Sequence, residues 1–191
     1  MEYSFYENDG ITPSKIADAL QRIFLWTIPV IICVGTDAAI GDTLGPLVGT
    51  KLKEAKIPAY VYGNLGKTIT AKEIGAIKTF IANVHPLART LVVDAAVGRS
   101  EDVGKIKVFP NGIYPGLGAD KRLPEIGDGA IIGIVSKHSQ KNDVFMNFTR
   151  LSPVYKMAET VYKGIFDYVT ECNKKPAYKS ENGVFSALPL C

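Results

Sequence analysis

Two aspartates stand where chemistry could be done. Asp42 lies in the stretch VIICVGTDAAIGDTLGP from Val30 to Pro46, and Asp94 lies in TLVVDA from Thr90 to Ala95. Each follows a short apolar run rich in β-branched residues, the pattern of a strand covered on both faces. Open α/β sheets bind their ligands beyond the carboxyl ends of such strands, so the two acids could share one rim and one crevice. Two carboxyls held close cannot both ionise freely, and one keeps a proton near neutral pH. Such a pair can activate a water against a carbonyl carbon while the protonated partner polarises the oxygen.

Each aspartate also has a plainer reading. An aspartate at a helix mouth is very often a cap for backbone N–H groups, and one at a strand end is often satisfied by loop amides.

The loop before Asp42 is built to turn. Gly35 ends the first strand, Gly41 precedes the acid, and Gly45 with Pro46 opens a helix expected over Gly45 to Ala55. GTDAAIGDTLG matches no phosphate-binding glycine motif, and two carboxylates would repel a phosphate. GNLGKT, from Gly63 to Thr68, imitates the end of a phosphate loop, but Val61 stands where its first glycine belongs. No cofactor is expected. Ser136, Ser139 and Cys33 lack the positioned base that a nucleophile needs. His85 falls at the opposite rim, in a His-Pro turn. His138 follows the strand Ala130 to Val135 on the acids' rim and is the one weak candidate for a metal ligand beside them.

The elements that must position these residues alternate. A helix begins at Thr12-Pro13 and runs to about Trp26, with Ile16, Ala19, Leu20, Ile23 and Phe24 on one face. Strands are expected at Val30 to Val34, Ala59 to Gly63, Thr90 to Ala95, Lys105 to Phe109 and Ala130 to Val135. Thr70 and Glu73 form a capping box for a helix lasting to about Val84. Ser152-Pro153 opens a long helix to about Cys172, with Val154, Met157, Ala158, Val161, Ile165 and Phe166 inward. Asn111-Gly112 is a turn and PGLG from Pro115 to Gly118 is irregular. Alternating β and α implies a three-layer α/β/α sandwich with a mainly parallel sheet. Residues 1–173 form one domain and 174–191 a mobile tail whose last apolar residues could dock on a neighbour.

Composition removes several function classes. With 191 residues, 47% hydrophobic and 21% charged, the chain can bury one sizeable core and is neither disordered nor fibrous. A net charge of +3 without a Lys/Arg run gives nucleic-acid binding no electrostatic footing. The longest apolar stretch, Ile23 to Val34, is broken by Thr27 and Pro29 and falls short of the ~20 residues that span a bilayer. The acidic start precedes no signal-peptide core, so a soluble cytoplasmic protein is expected. Cys33, Cys172 and Cys191 fit a reducing compartment.

Three motifs in order carry a resemblance. CVGTDAAIGDTLGP at Cys33 to Pro46, LVVDAAVGRS at Leu91 to Ser100, and GIYPGLGADKRLPEIGDGAIIGI at Gly112 to Ile134 resemble blocks of the spore germination protease. Together with TRLSPVYKMA at Thr149 to Ala158 they resemble more closely the smaller YyaC sporulation protein family, over about residues 28 to 170. The resemblance implies the phosphorylase/hydrolase-like α/β/α fold shared with the hydrogenase maturation proteases. It places the protease's two essential aspartates on Asp42 and Asp94. Gly35, Thr36 and Gly41, with Gly116 and Gly118, then become the loop residues facing a substrate. In the maturation enzymes the matching acids and a histidine grip a metal carried by the substrate, a third role that only His138 could take here.

Departures limit the transfer. Thr36 replaces an asparagine, Ile40-Gly41 replaces Thr-Pro, and the long removable N-terminal segment is missing. The expectation is a sporulation-associated peptidase acting on a protein or peptide in the mother cell or forespore. The rivals are a non-catalytic scaffold or regulator, and a metal-dependent maturation-type peptidase. A homo-oligomer is possible on either view.

Overall fold

The computed structural model describes residues 2–6, 9–114, 124–137 and 149–174. In chain order the strands are β1 (Tyr3–Tyr6), β2 (Val30–Cys33), β3 (Val61–Tyr62), β4 (Thr90–Gly98), β5 (Lys105–Phe109) and β6 (Gly129–Lys137). The α-helices are α1 (Thr12–Phe24), α2 (Leu44–Glu54), α3 (Ile74–Val84) and α4 (Leu151–Lys174). Single 3-10 turns occupy Ile40–Asp42 and Ser100–Asp102.

The six strands form one sheet in the order β1-β5-β6-β4-β2-β3. Pairing of β3 with β2, β2 with β4 and β4 with β6 is parallel, while β5 lies antiparallel to both β6 and β1. Among the described strands only β5 therefore runs against the rest, and the expected mainly parallel sheet is present.

Strand alternation splits the core into two layers. Ile31, Cys33, Leu91, Val93, Ile131 and Val135 face α1, α2 and α4, where Leu20, Phe24, Val48, Met157, Val161 and Ile165 close the larger cluster. Val30, Ile32, Val34, Val92 and Ala130 face the other way, under Ile74 and Ile81 of α3. Among the described residues the sandwich is thus three-layered and lopsided, with three α-helices on one side and one on the other. Burying each of these large apolar side chains contributes about 1.5–3 kcal/mol.

Several boundaries differ from expectation. Strand β1 was not anticipated. YSFY alternates half-buried and exposed residues, and it is held by pairing with β5, a distant partner that local pattern does not reveal. Helix α1 stops two residues early because Leu25 and Trp26 take left-handed backbone conformations, φ 52° and 67°. The Thr70 and Glu73 pair does form, with the Thr70 N–H donating to the Glu73 carboxylate at 2.9 Å. It closes the turn ahead of α3, whose first residue is Ile74. Strand β3 is cut to two residues, and α4 continues to Lys174.

The most consequential difference is β4, which runs four residues beyond Asp94. Asp94 sits within a strand, level with Ile132 of β6. Among the described residues no helix is long and apolar enough to cross a membrane.

Candidate functional site

Asp42 is placed by the chain's departure from β2. Gly35 adopts φ +137°, and a Cβ there would lie 2.1 Å from the Asp42 carbonyl oxygen. Only glycine lets the chain turn back on itself so tightly. The Gly35 N–H donates to Ile69 O at 2.9 Å and the Thr36 N–H to the Asp42 carbonyl at 3.1 Å. Within the loop, the Ala38 N–H donates to Thr36 Oγ1 and the Asp42 N–H to Ala39 O, so residues 35–42 form a self-pinned turn. Gly41 is buried inside it.

Helix α2 begins only at Leu44, with Thr43 in the capping position. Asp42 belongs to the preceding 3-10 turn and is not the α2 cap that the plainer reading supposed.

Asp94 reaches the same place from the sheet. The partners of β2 on β4 end at Cys33 and Val93, so Asp94 is the first residue past the end of β2. The Asp42 turn packs against β4. By alternation the Asp94 side chain leaves the sheet on the side of Val92. It is 6% exposed, and its Oδ1 accepts the Ala95 N–H at 2.8 Å.

The electrostatics follow from this placement. Burial raises Asp94 well above the usual carboxylate value, the charge of Asp42 raises it further, and the Ala95 N–H opposes both. Asp42, less deeply set, is pushed up to about 6 by burial, with the Thr36 N–H opposing. The two carboxyls are therefore near enough for one charge to be felt by the other. Burial thus pushes both acids toward the protonated form.

Two residues that sequence reasoning passed over help set this geometry. A Cβ on Gly133 of β6 would stand 2.3 Å from both Leu44 Cδ2 and Met157 Sδ. That bare position lets the start of α2, and with it the Asp42 turn, settle against β6 and α4. The signal was visible, because a glycine inside a buried strand marks a close approach. The other is Ala95, whose N–H holds the Asp94 carboxyl; a backbone donor leaves no mark in sequence.

The other expected residues distribute as follows. Gly35, Thr36 and Gly41 lie in the loop bearing Asp42. Gly116, Gly118 and His138 lie outside the described residues, and among those described no three His, Cys, Asp or Glu side chains gather into a metal site. Cys33 is fully buried core, its thiol pushed up to about 12 by burial. His85 follows α3, its Nε2 paired at 2.8 Å with the Tyr62 hydroxyl. GNLGKT closes into a tight turn through paired Asn64 and Lys67 backbone bonds, with α3 starting only at Ile74, so it does not open a helix as a phosphate loop does.

The described residues form an α/β/α protein with a buried and a half-buried aspartate past the carboxyl end of β2 in a mainly parallel sheet. The chain belongs to the family described as a protein of unknown function, DUF1256, whose model matches residues 5–164. It is similar to the uncharacterized protein YyaC of Bacillus subtilis (strain 168), 37% identical over 140 residues that cover 71% of this chain and 67% of that protein. The expected kinship with the YyaC family is thereby shown. Among solved structures it is similar to a NiFe hydrogenase maturation protease, HycI, from Thermococcus kodakarensis KOD1. That likeness has a TM-score of 0.43 and 17% identity, over 76% of this chain and 97% of the other.

Proposed function

We propose that the protein is a peptidase-type hydrolase in which Asp42 and Asp94 activate a water against a peptide carbonyl. The observation that carries the reading is the burial of Asp94 within reach of the Asp42 charge, with both acids raised. Near neutral pH such a pair holds one proton, on the more buried member. Its titration belongs to the pair and not to either residue alone.

The chemistry then balances. Asp42, as carboxylate, takes a proton from the water as its oxygen bonds to the carbonyl carbon, and Asp94 gives its proton to the carbonyl oxygen. On collapse of the tetrahedral intermediate that oxygen returns a proton to Asp94. The proton on Asp42 passes to the leaving nitrogen as the C–N bond breaks, and both acids regain their starting states. The ordered motifs that resemble the spore germination protease support the same assignment, and with it a cytoplasmic role in a spore-forming cell.

Hydrolysis of a pool of unstructured peptides, followed by mass spectrometry, tests the reading. Asp94→Asn should lower turnover about 10²- to 10⁴-fold, the range of a lost general acid. Full activity in that variant would falsify the proposal.

A further inference from the structure

The part of β4 that follows Asp94 has two edges, and only one is used. Asp94 through Gly98 pair with β6, reaching Lys137. On the other side β2 has ended, and its last bond runs from the Val34 N–H to the Val93 carbonyl at 2.8 Å. In a parallel ladder alternate residues turn both backbone groups to the same neighbour. The carbonyls of Arg89 and Val93 serve Val30 and Val34, while the Thr90 carbonyl takes the Asp128 N–H on the β6 side. Odd-numbered residues of β4 therefore face the β2 side.

The irregularity near Ala96 and Val97 does not disturb this, because the skipped residue is Val135 of β6. Ala95 and Val97 thus present their peptide groups along the track that β2 vacates. The Ala95 N–H is taken by Asp94 Oδ1. Among the described residues, the Ala95 carbonyl and the Val97 N–H and carbonyl have no backbone partner on this side. Ala95 is buried, while Ala96, Val97 and Gly98 are half-buried.

We propose that a peptide substrate binds here as an added strand, main chain to main chain with Val97, continuing the sheet where β2 leaves it. The inference rests on the peptidase reading above and names its substrate class: an extended, unfolded or terminal segment, not a folded surface. An added strand lies about 4.8 Å from its neighbour. Side chains facing each other across such a pair have Cβ atoms about 4.5–5.5 Å apart. Val34 holds the place level with Asp94, so the added strand would start beside Ala96 and end toward Asp94 and the Asp42 turn, which packs on β4. Unused backbone groups next to the acids supply affinity with little dependence on side chains, as in other strand-addition modes.

Two measurements decide it, with end-blocked, unstructured decapeptides as the probe. In Asp94→Asn, which keeps the edge and lacks the proposed acid, the peptide pool should slow hydrogen exchange at the Val97 amide. For any peptide that the native chain cleaves, N-methylation of the one nitrogen facing the Val97 carbonyl should lower kcat/KM about 2- to 12-fold, the worth of one hydrogen bond. Methylation one residue away, where the N–H points outward, should change it less than twofold. Unchanged Val97 exchange, or no two-residue alternation, overturns the added strand even when Asp94→Asn is inactive, and the acid pair then stands alone. Slowed exchange in a chain that cleaves no peptide keeps the binding edge and removes the chemistry.

Discussion

Replacing Asp42 with asparagine should stabilise the fold at neutral pH. Asp42 is raised from an ordinary 3.8 to about 6 in the folded chain. Between those values the folded state holds a proton that the unfolded state has released, so stability falls as pH rises through this window. A shift of about two units corresponds to about 3 kcal/mol. Solvent screening at this partly exposed carboxyl reduces that to about 1–3 kcal/mol. Asparagine keeps the shape and cannot ionise.

The variant should therefore match the native chain near pH 4 and exceed it by about 1–3 kcal/mol at pH 7. Loss of the Asp42 charge also relieves Asp94, which acts in the same direction. Urea unfolding at half-unit pH steps from 4.5 to 7.5, followed by the fluorescence of Trp26, measures the difference. A gap independent of pH, or a variant less stable than the native chain at pH 7, would refute the reasoning. It would mean that the Asp42 carboxylate ties down local backbone and contributes stability as an anion.

Other outcomes follow from the same geometry. If the acid pair hydrolyses peptides, kcat/KM should rise with pH through an acid limb near 6 as Asp42 ionises, and Asp42→Asn should lack that limb. Gly35→Ala would force a Cβ against the Asp42 carbonyl at a positive φ and should cost on the order of 3 kcal/mol; an unchanged urea midpoint would show that the loop turns by another route. Gly133→Val would press on the flexible ends of Leu44 and Met157, costing about 1–3 kcal/mol. By lifting the Asp42 turn from β4, it should also lower the titration midpoint of Asp94, read by carboxyl carbon NMR.

Much of the fold was legible because local pattern and tertiary role agree. The β-branched run at Val30 to Val34 reads as a doubly covered strand, and its residues do divide between the two core layers. The helical spacing at Ile16, Leu20 and Ile23, and at Val154, Met157 and Val161, marks faces that are buried. Less was legible where a distant partner decides. YSFY becomes β1 only because Lys105–Phe109 offers it an edge. TLVVDA reads as a strand ending at its acid, yet β6 carries the pairing on to Gly98. A one-dimensional pattern records which residues avoid water, not how far a neighbouring strand extends.

The candidate site divides the same way. Residue types alone singled out Asp42 and Asp94 and put both after apolar strands, since acids beside buried runs stand out against the composition. Sequence left open whether Asp42 caps a helix and read Asp94 as the end of a strand. Tertiary structure answered both, because the 3-10 turn displaces Asp42 from the start of α2 and the long β4 draws Asp94 inside the sheet. It also set what raises each acid, burial at both and the Asp42 charge at Asp94. Desolvation and the reach of a neighbouring charge depend on what surrounds each carboxyl in space, which no spacing along the chain encodes.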